Sequence, residues 1–230
     1  MRYEWIARNG CRRLILFFNG WGMDSSAVAS LEAGSADVLM LYAYHMEDGG
    51  FDFSFLSRYE RTDVVAWSMG VWYVSAFGLH GFPPVDRSVA LCGTPEGVDD
   101  TCGIPANVFS ATLSSLSPRS LEKFAVRMCG GRAAYDAGPL KNAHGRGFED
   151  SAAELAWWDR NVSLRPSGNI HWDAALVSKD DMIFPQANQL ASWGVHGTRT
   201  VAMDIPHFPF GCFGETVPNR GLFLCDGGLP

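Results

Sequence analysis

The chain has 230 residues, of which 47% are apolar and 13% aromatic, enough to close one hydrophobic core and to exclude a disordered chain. Its formal charge of −7 excludes a basic face spread over the whole domain, and with it a nucleic-acid binder. The apolar run Leu14–Phe18 behind Arg12 and Arg13 is too short for a signal segment or a membrane span, so the expectation is a cytoplasmic enzyme with no membrane partner.

In chain order, the first buried strand is expected at Leu14–Phe18, ended by the turn Asn19-Gly20-Trp21-Gly22. Glycines on both sides of Trp21 let the backbone come close to a ligand and present N–H groups to it, so the Trp21 N–H is a candidate oxyanion donor. A plain tight turn would have the same composition. A second strand is expected at Val38–Tyr42 and a third at Asp63–Trp67. The third runs into Trp67-Ser68-Met69-Gly70, which reads as a nucleophile elbow. A buried strand turns sharply into a helix over Met69–Leu79, which exposes the Ser68 hydroxyl and aims the Met69 N–H at a substrate carbonyl. Ala66 stands where that pattern prefers glycine.

A fourth strand is expected at Ser88–Cys92. From about 103 to 159 the chain then carries helix formers and no convincing strand, with Leu113, Leu116, Leu121, Phe124 and Met128 near helical spacing. This stretch is expected to be a helical cap inserted over the C-terminal edge of the sheet, where open α/β folds bind ligands. Strands at Trp172–Val177 and Thr200–Met203, with a helix at Pro185–Trp193 between them, complete the alternation. The expected architecture is one α/β domain over 1–230, a mostly parallel sheet with helices on both faces.

Past the fifth strand Asp180 and Asp181 compete for the role of acid. Asp181 is chosen because it stands four residues before the Pro185 that opens a helix, and Asp180 is then a solvated turn residue. His207 follows the last strand in a loop stiffened by Pro206 and Pro209, a setting that can hold an imidazole between a serine and a carboxylate. The other histidines, His45, His80, His144, His171 and His196, lack it and are expected to be structural or exposed. Six cysteines (Cys11, Cys92, Cys102, Cys129, Cys212, Cys225) form no CxxC pair, so no metal site is expected. The candidate triad is Ser68, His207 and Asp181.

These features resemble the α/β-hydrolase superfamily, and within it the BioG-type pimeloyl-[acyl-carrier protein] methyl ester esterases. The resemblance rests on Leu14–Gly22, on Val64–Trp72 with its Ala-Trp-Ser-Met-Gly elbow, on Cys92-Gly93-Thr94-Pro95 and on Pro206–Phe210. Ala66 matches this subfamily. It implies a serine esterase of biotin synthesis, needing no cofactor, whose partner is acyl carrier protein bearing a methyl pimeloyl chain.

Charge supports an acidic partner. Residues 117–146 contain Arg119, Lys123, Arg127, Arg132, Lys141 and Arg146 against Glu122 and Asp136 alone. Arg119, Lys123 and Arg127 recur every four residues and share one helix face, so with Arg132 they are candidate carrier-protein contacts; a solvated amphipathic helix would show the same stripe. Trp67, Phe109, Phe124, Trp157 and Trp158 are candidate walls of an acyl pocket, though residues of these types equally serve as plain core. The alternatives are a general carboxylesterase or thioesterase on small acyl esters, and a catalytically silent hydrolase fold used as an interaction module. The tail from Cys212 to Pro230, rich in Gly and Pro, is expected to be loosely held.

Overall fold

The protein is described here from a computed structural model covering residues 1–29, 33–46, 52–141, 146–164, 166 and 170–212. His144, Cys225 and the tail beyond Cys212 lie outside the described residues. Seven strands form one sheet: β1 (Arg2–Ala7), β2 (Arg13–Phe18), β3 (Asp37–Tyr42), β4 (Arg61–Trp67), β5 (Arg87–Leu91), β6 (Ala174–Ser178) and β7 (Arg199–Met203). Their order is β1-β3-β2-β4-β5-β6-β7, and every pairing is parallel except β1 with β3.

The central strands are the apolar runs of the sequence. Leu14 to Phe18, Val38 to Leu41 and Val64 to Trp67 are all fully buried, as parallel strands covered on both faces must be. β1 is a strand that the sequence reading did not include. It is an antiparallel edge strand, its first half exposed, and it alternates Arg2 and Glu4 with Tyr3 and Trp5 instead of running apolar throughout. Without two buried faces it lacks the signal that betrays the inner strands.

Helix α1 (Met69–Phe77) leaves β4 directly, and Gly78, with a positive φ (+71°) that suits glycine, ends it. Between β5 and β6 lie α2 (Ala106–Ser114), α3 (Pro118–Met128), α4 (Arg132–Ala137) and α5 (Phe148–Asn161). Pro118 in the first turn of α3 and reciprocal hydrogen bonds between Ser117 and Ser120 mark its start, 2.8 Å for Ser117 N–H to Ser120 Oγ. Helix α6 (Gln186–His196) follows β6 and stops at Gly197, in the left-handed conformation (φ +65°).

The topology fixes where a ligand can sit. From β2 the chain passes to β3 on one side, whereas from β4 it passes to β5 on the other. The strand order therefore reverses between β2 and β4, and their C-terminal ends bound the crevice of an open α/β sheet. Asn19–Gly22 leaves the end of β2 and Ser68 leaves the end of β4, on adjacent strands.

Candidate active site

Ser68 joins β4 to α1 with a strained positive φ (φ +58°, ψ −127°), whose sign it shares with two other described non-glycine residues, Ala43 and Cys92. Such a backbone costs about 1–3 kcal/mol and persists only where its surroundings enforce it. Here the Ser68 N–H donates to Leu91 O at 2.9 Å and the Ser68 carbonyl accepts from Val71 N–H at 3.0 Å. Two glycines make room: a Cβ on Gly70 would lie 2.5 Å from Phe18 O, and one on Gly93 would lie 2.4 Å from Ser68 O. The elbow therefore depends on glycine one step after Met69, whereas Ala66 packs fully buried in β4 without strain.

The three candidate triad residues meet. His207 Nε2 lies 2.9 Å from Ser68 Oγ and His207 Nδ1 lies 2.8 Å from Asp181 Oδ2. A carboxylate can only accept, so Nδ1 carries the proton and Nε2 is left to accept from the serine hydroxyl. Asp181 is fixed in turn: Oδ1 accepts from the Ile183 and Phe184 N–H groups at 2.7 and 2.8 Å, and Oδ2 accepts from Gln189 Nε2 at 3.0 Å. The imidazole is fully buried, stacked on Phe184 with ring centroids 5.8 Å apart, and its main-chain carbonyl accepts from the Trp67 indole at 2.9 Å. Asp180, by contrast, is exposed. Nearby, burial and the charge of Asp181 push the Cys92 thiol well above its ordinary range, so it stays protonated and offers no rival nucleophile.

In the Asn19–Gly22 turn the Gly20 N–H donates to Asn19 Oδ1 at 2.9 Å, the Gly22 N–H to Glu154 Oε2 at 2.9 Å and the Met23 N–H to Gly20 O at 3.4 Å. Among the described residues, the Trp21 and Met69 backbone N–H groups meet no acceptor. Trp21 and Met69 border the same cleft as Ser68.

That cleft is apolar. Trp67, Phe109 and Phe124 line it, together with Ile104, Leu155 and Trp158. Trp157 does not: its ring stacks on Phe77 at 5.6 Å and lies against Trp72 and Tyr73. Adjacent residues on α5 face different ways, and the buried stripe Ser151, Glu154, Leu155, Trp158 shows which neighbour turns inward.

Of the basic candidates, Arg119, Lys123, Arg127 and Arg132 border one groove on α3 and the start of α4, and Arg127 also borders the cleft with Ser68. Arg119 and Lys123 are exposed and meet no carboxylate among the described residues. Arg132 is partly neutralised by Glu122 at 2.8 Å, and Arg127 lies over the Phe124 ring at 5.6 Å. Two other cations of the same stretch do not join this face. Lys141 pairs with Asp136 at 3.1 Å, and Arg146 is buried against Glu154 and Asp150. Arg146, Asp150 and Glu154 recur every four residues from two positions before α5, but their backbone partners lie in the turns after β2 and β3 and leave no local motif in the sequence. Among the remaining histidines, His45 is half-buried beside Asp150, His196 pairs with Glu96 at 2.7 Å, and His80 and His171 are exposed. Among the described residues no group of three His, Cys, Asp or Glu could hold a metal ion, and no helix is long and apolar enough to cross a membrane.

The sequence profile of the family described as pimeloyl-ACP methyl esterase BioG matches residues 1–216. The chain belongs to the BioG family. It is similar to BioG from Haemophilus influenzae, whose crystal structure superposes with a TM-score of 0.81 at 31% identity over 90% of this chain and 94% of that one. A malonyl-[acyl-carrier protein] O-methyltransferase of Bacteroides fragilis is 36% identical over 197 residues, 86% of this chain but 40% of that protein, so the chain spans about two fifths of that relative's length. An enol-lactonase from Burkholderia xenovorans, 15% identical with a TM-score of 0.60 over 90% of this chain and 89% of that one, shares the fold. This BioG-family chain thus has the α/β-hydrolase fold.

Proposed function

We propose that this protein hydrolyses the methyl ester of pimeloyl-[acyl-carrier protein], releasing methanol and the free pimeloyl acid still attached to its carrier, as a cofactor-free step of biotin synthesis in the cytoplasm. The observation that carries the reading is the hydrogen-bonded run Asp181, His207, Ser68 opening on an apolar cleft, in a chain of the BioG family.

Ser68 Oγ attacks the ester carbonyl while His207 Nε2 takes its proton, and the carbonyl oxygen, now negative, is received by the Trp21 and Met69 N–H groups. Asp181 steadies the imidazolium, which passes the proton to the departing methoxide oxygen; methanol leaves and the acyl chain stays on Ser68. Water gives a proton to His207 as it attacks, the ester to Ser68 breaks, and the serine oxygen recovers that proton.

The cleft suits a neutral ester. Sheltering the five methylenes of a pimeloyl chain against Phe109, Phe124 and Trp158 stabilises the complex by about 4 kcal/mol. The product carboxylate pays a desolvation penalty on the same surface and is expelled. Helices α2 to α5, from Ala106 to Asn161, act as the cap. The basic groove runs up to the cleft at Arg127, so an acidic carrier docked there by Arg119, Lys123, Arg127 and Arg132 could feed its tethered chain toward Ser68. The Bacteroides relative's name, a methyltransferase acting on a carrier-bound acid, describes the reverse change at the same kind of group.

Incubation of purified protein with methyl pimeloyl-acyl carrier protein tests the reading by the mass of the carrier. Loss of one methylene mass, abolished by Ser68→Ala, is expected. An unchanged carrier beside rapid hydrolysis of small free esters would instead favour a general carboxylesterase.

A further inference from the structure

Glu154 is fully buried on α5, 132 positions along the chain from the turn it touches, and the mechanism above gives it no work. Its Oε2 accepts the Gly22 N–H at 2.9 Å and its Oε1 accepts the Tyr44 N–H at 3.0 Å, while Arg146 closes an ion pair on Oε2. Two further bonds tie the same turn: the Trp21 indole donates to Ser151 O at 2.8 Å, one helical turn before Glu154, and the Tyr44 hydroxyl donates to Asn19 O at 2.8 Å. Burying a carboxylate and a guanidinium costs several kcal/mol per ion and yields less net stability than an apolar pair of equal volume. Burial accordingly raises the Glu154 carboxyl, opposed by Arg146 and the two N–H groups. Side chains kept in so costly an arrangement point to a task other than stability.

The hydrogen bonds show the task. Of the consecutive N–H groups from Gly20 to Met23, three are taken by acceptors, and Glu154 takes the one directly after Trp21. We propose that Glu154 is a positioning residue for the oxyanion hole: by capturing the Gly22 N–H it fixes the Trp21–Gly22 peptide, and with it the backbone torsions at Trp21 that aim the preceding peptide's Trp21 N–H toward Ser68. The same face of α5 supplies Leu155 and Trp158 to the cleft, so one helix both walls the acyl chain and aims the donor. Arg146 and the two N–H groups favour the ionised, acceptor-only carboxylate against the opposing effect of burial. This inference rests on the serine-esterase reading and deepens it.

The test compares Glu154→Gln and Glu154→Ala with Asp150→Asn, which alters the far side of Arg146 without touching the turn. Steady-state hydrolysis of methyl pimeloyl-acyl carrier protein and of p-nitrophenyl acetate is measured, with the rate of fluorophosphonate labelling and a thermal melt. Misaiming one oxyanion donor removes an interaction made in the transition state, so kcat should fall about ten- to hundredfold with KM within about twofold. Labelling should slow in parallel, Glu154→Ala should lose more than Glu154→Gln, and Asp150→Asn should keep both rates within about twofold. Glu154 variants with wild-type kcat, or losses in kcat matched by Asp150→Asn, overturn the proposal. Should the Glu154 variants not fold, amide exchange in the wild-type protein decides: a protected Gly22 amide beside a freely exchanging Trp21 amide supports it, and equal exchange contradicts it. A wild-type protein that neither hydrolyses ester nor takes the label removes the esterase reading itself, and this inference with it.

Discussion

Two regions share the proposed active site and build it in different ways. In the proposed mechanism the loops at the C-terminal ends of β2, β4, β6 and β7 supply the reacting groups, each within four residues of its strand's end, while the helices α2 to α5 supply the walls, the basic face and the brace on the Asn19–Gly22 turn. Each region holds one buried carboxylate that accepts two backbone N–H groups. Asp181 draws both from its own turn, at Ile183 and Phe184, and spends its other oxygen on His207 and Gln189. Glu154 draws its pair from two distant turns, at Gly22 and Tyr44, and is neutralised by Arg146. On this proposal chemistry sits on parts fixed by local backbone geometry and recognition on parts held by long-range pairs, where substitution should alter substrate choice before it alters reaction.

If that division holds, the largest effects belong to the strand-end loops. Ser68→Ala or His207→Ala should lower kcat by about 10⁴-fold or more, with either alone costing nearly as much as both, since they act as one unit. Asp181→Asn keeps the shape but no longer holds the Nδ1 proton and should cost about 10²–10⁴-fold, which steady-state assays on a small ester would reveal. A loss confined to carrier-bound substrate in any of these variants would break the division.

Smaller effects, selective for substrate, belong to the helices. Reversing charge at Arg119 and Lys123 together should raise KM for carrier-bound ester by about tenfold at low salt, less as salt screens the attraction, and leave a small free ester unaffected. Paired kinetics on the two substrates would show it; equal losses on both would move these residues out of recognition. Trp158→Ala opens a cavity at a fully buried wall and should cost about 3–5 kcal/mol in a melt together with activity, whereas Trp157→Ala should cost less stability and leave the cleft intact.

The smallest effect concerns Cys129 at the end of α3. Burial raises its thiol to about 11, above the ordinary 9.0, so at pH 8 it should alkylate at least about tenfold more slowly in native protein than in urea. Because the folded state holds this proton more tightly than the unfolded chain, its contribution to stability is complete below pH 9 and is lost as pH rises through about 11. A fast native reaction at pH 8 would show that this end of α3 opens readily.

What could be read from the sequence follows the same division. The inner strands announced themselves as unbroken apolar runs with the turns at Asn19, Ser68 and Asp181 just beyond them, and His207 follows the parallel edge strand β7, so their meeting needed only a parallel sheet. The preference for Asp181 over Asp180 agrees with the side chain that reaches His207. β1 was missed because an edge strand has one exposed side and no continuous run. Trp157 and Trp158 could not be told apart until the phase of α5 was known. Arg146, counted only in the charge of residues 117–146, turns inward to Glu154, because composition does not show which way a side chain faces. Local geometry is written in neighbouring residues, and long-range pairs are not.

The most direct test of the central claim, that the strand-end loops form the catalytic machinery, is to map the site of fluorophosphonate labelling by mass spectrometry. The account predicts one adduct, on Ser68, formed rapidly in the wild-type protein, at least about a hundredfold more slowly in His207→Ala, and not at all in Ser68→Ala. A folded wild-type protein that takes no label, or takes it at another residue, would contradict it.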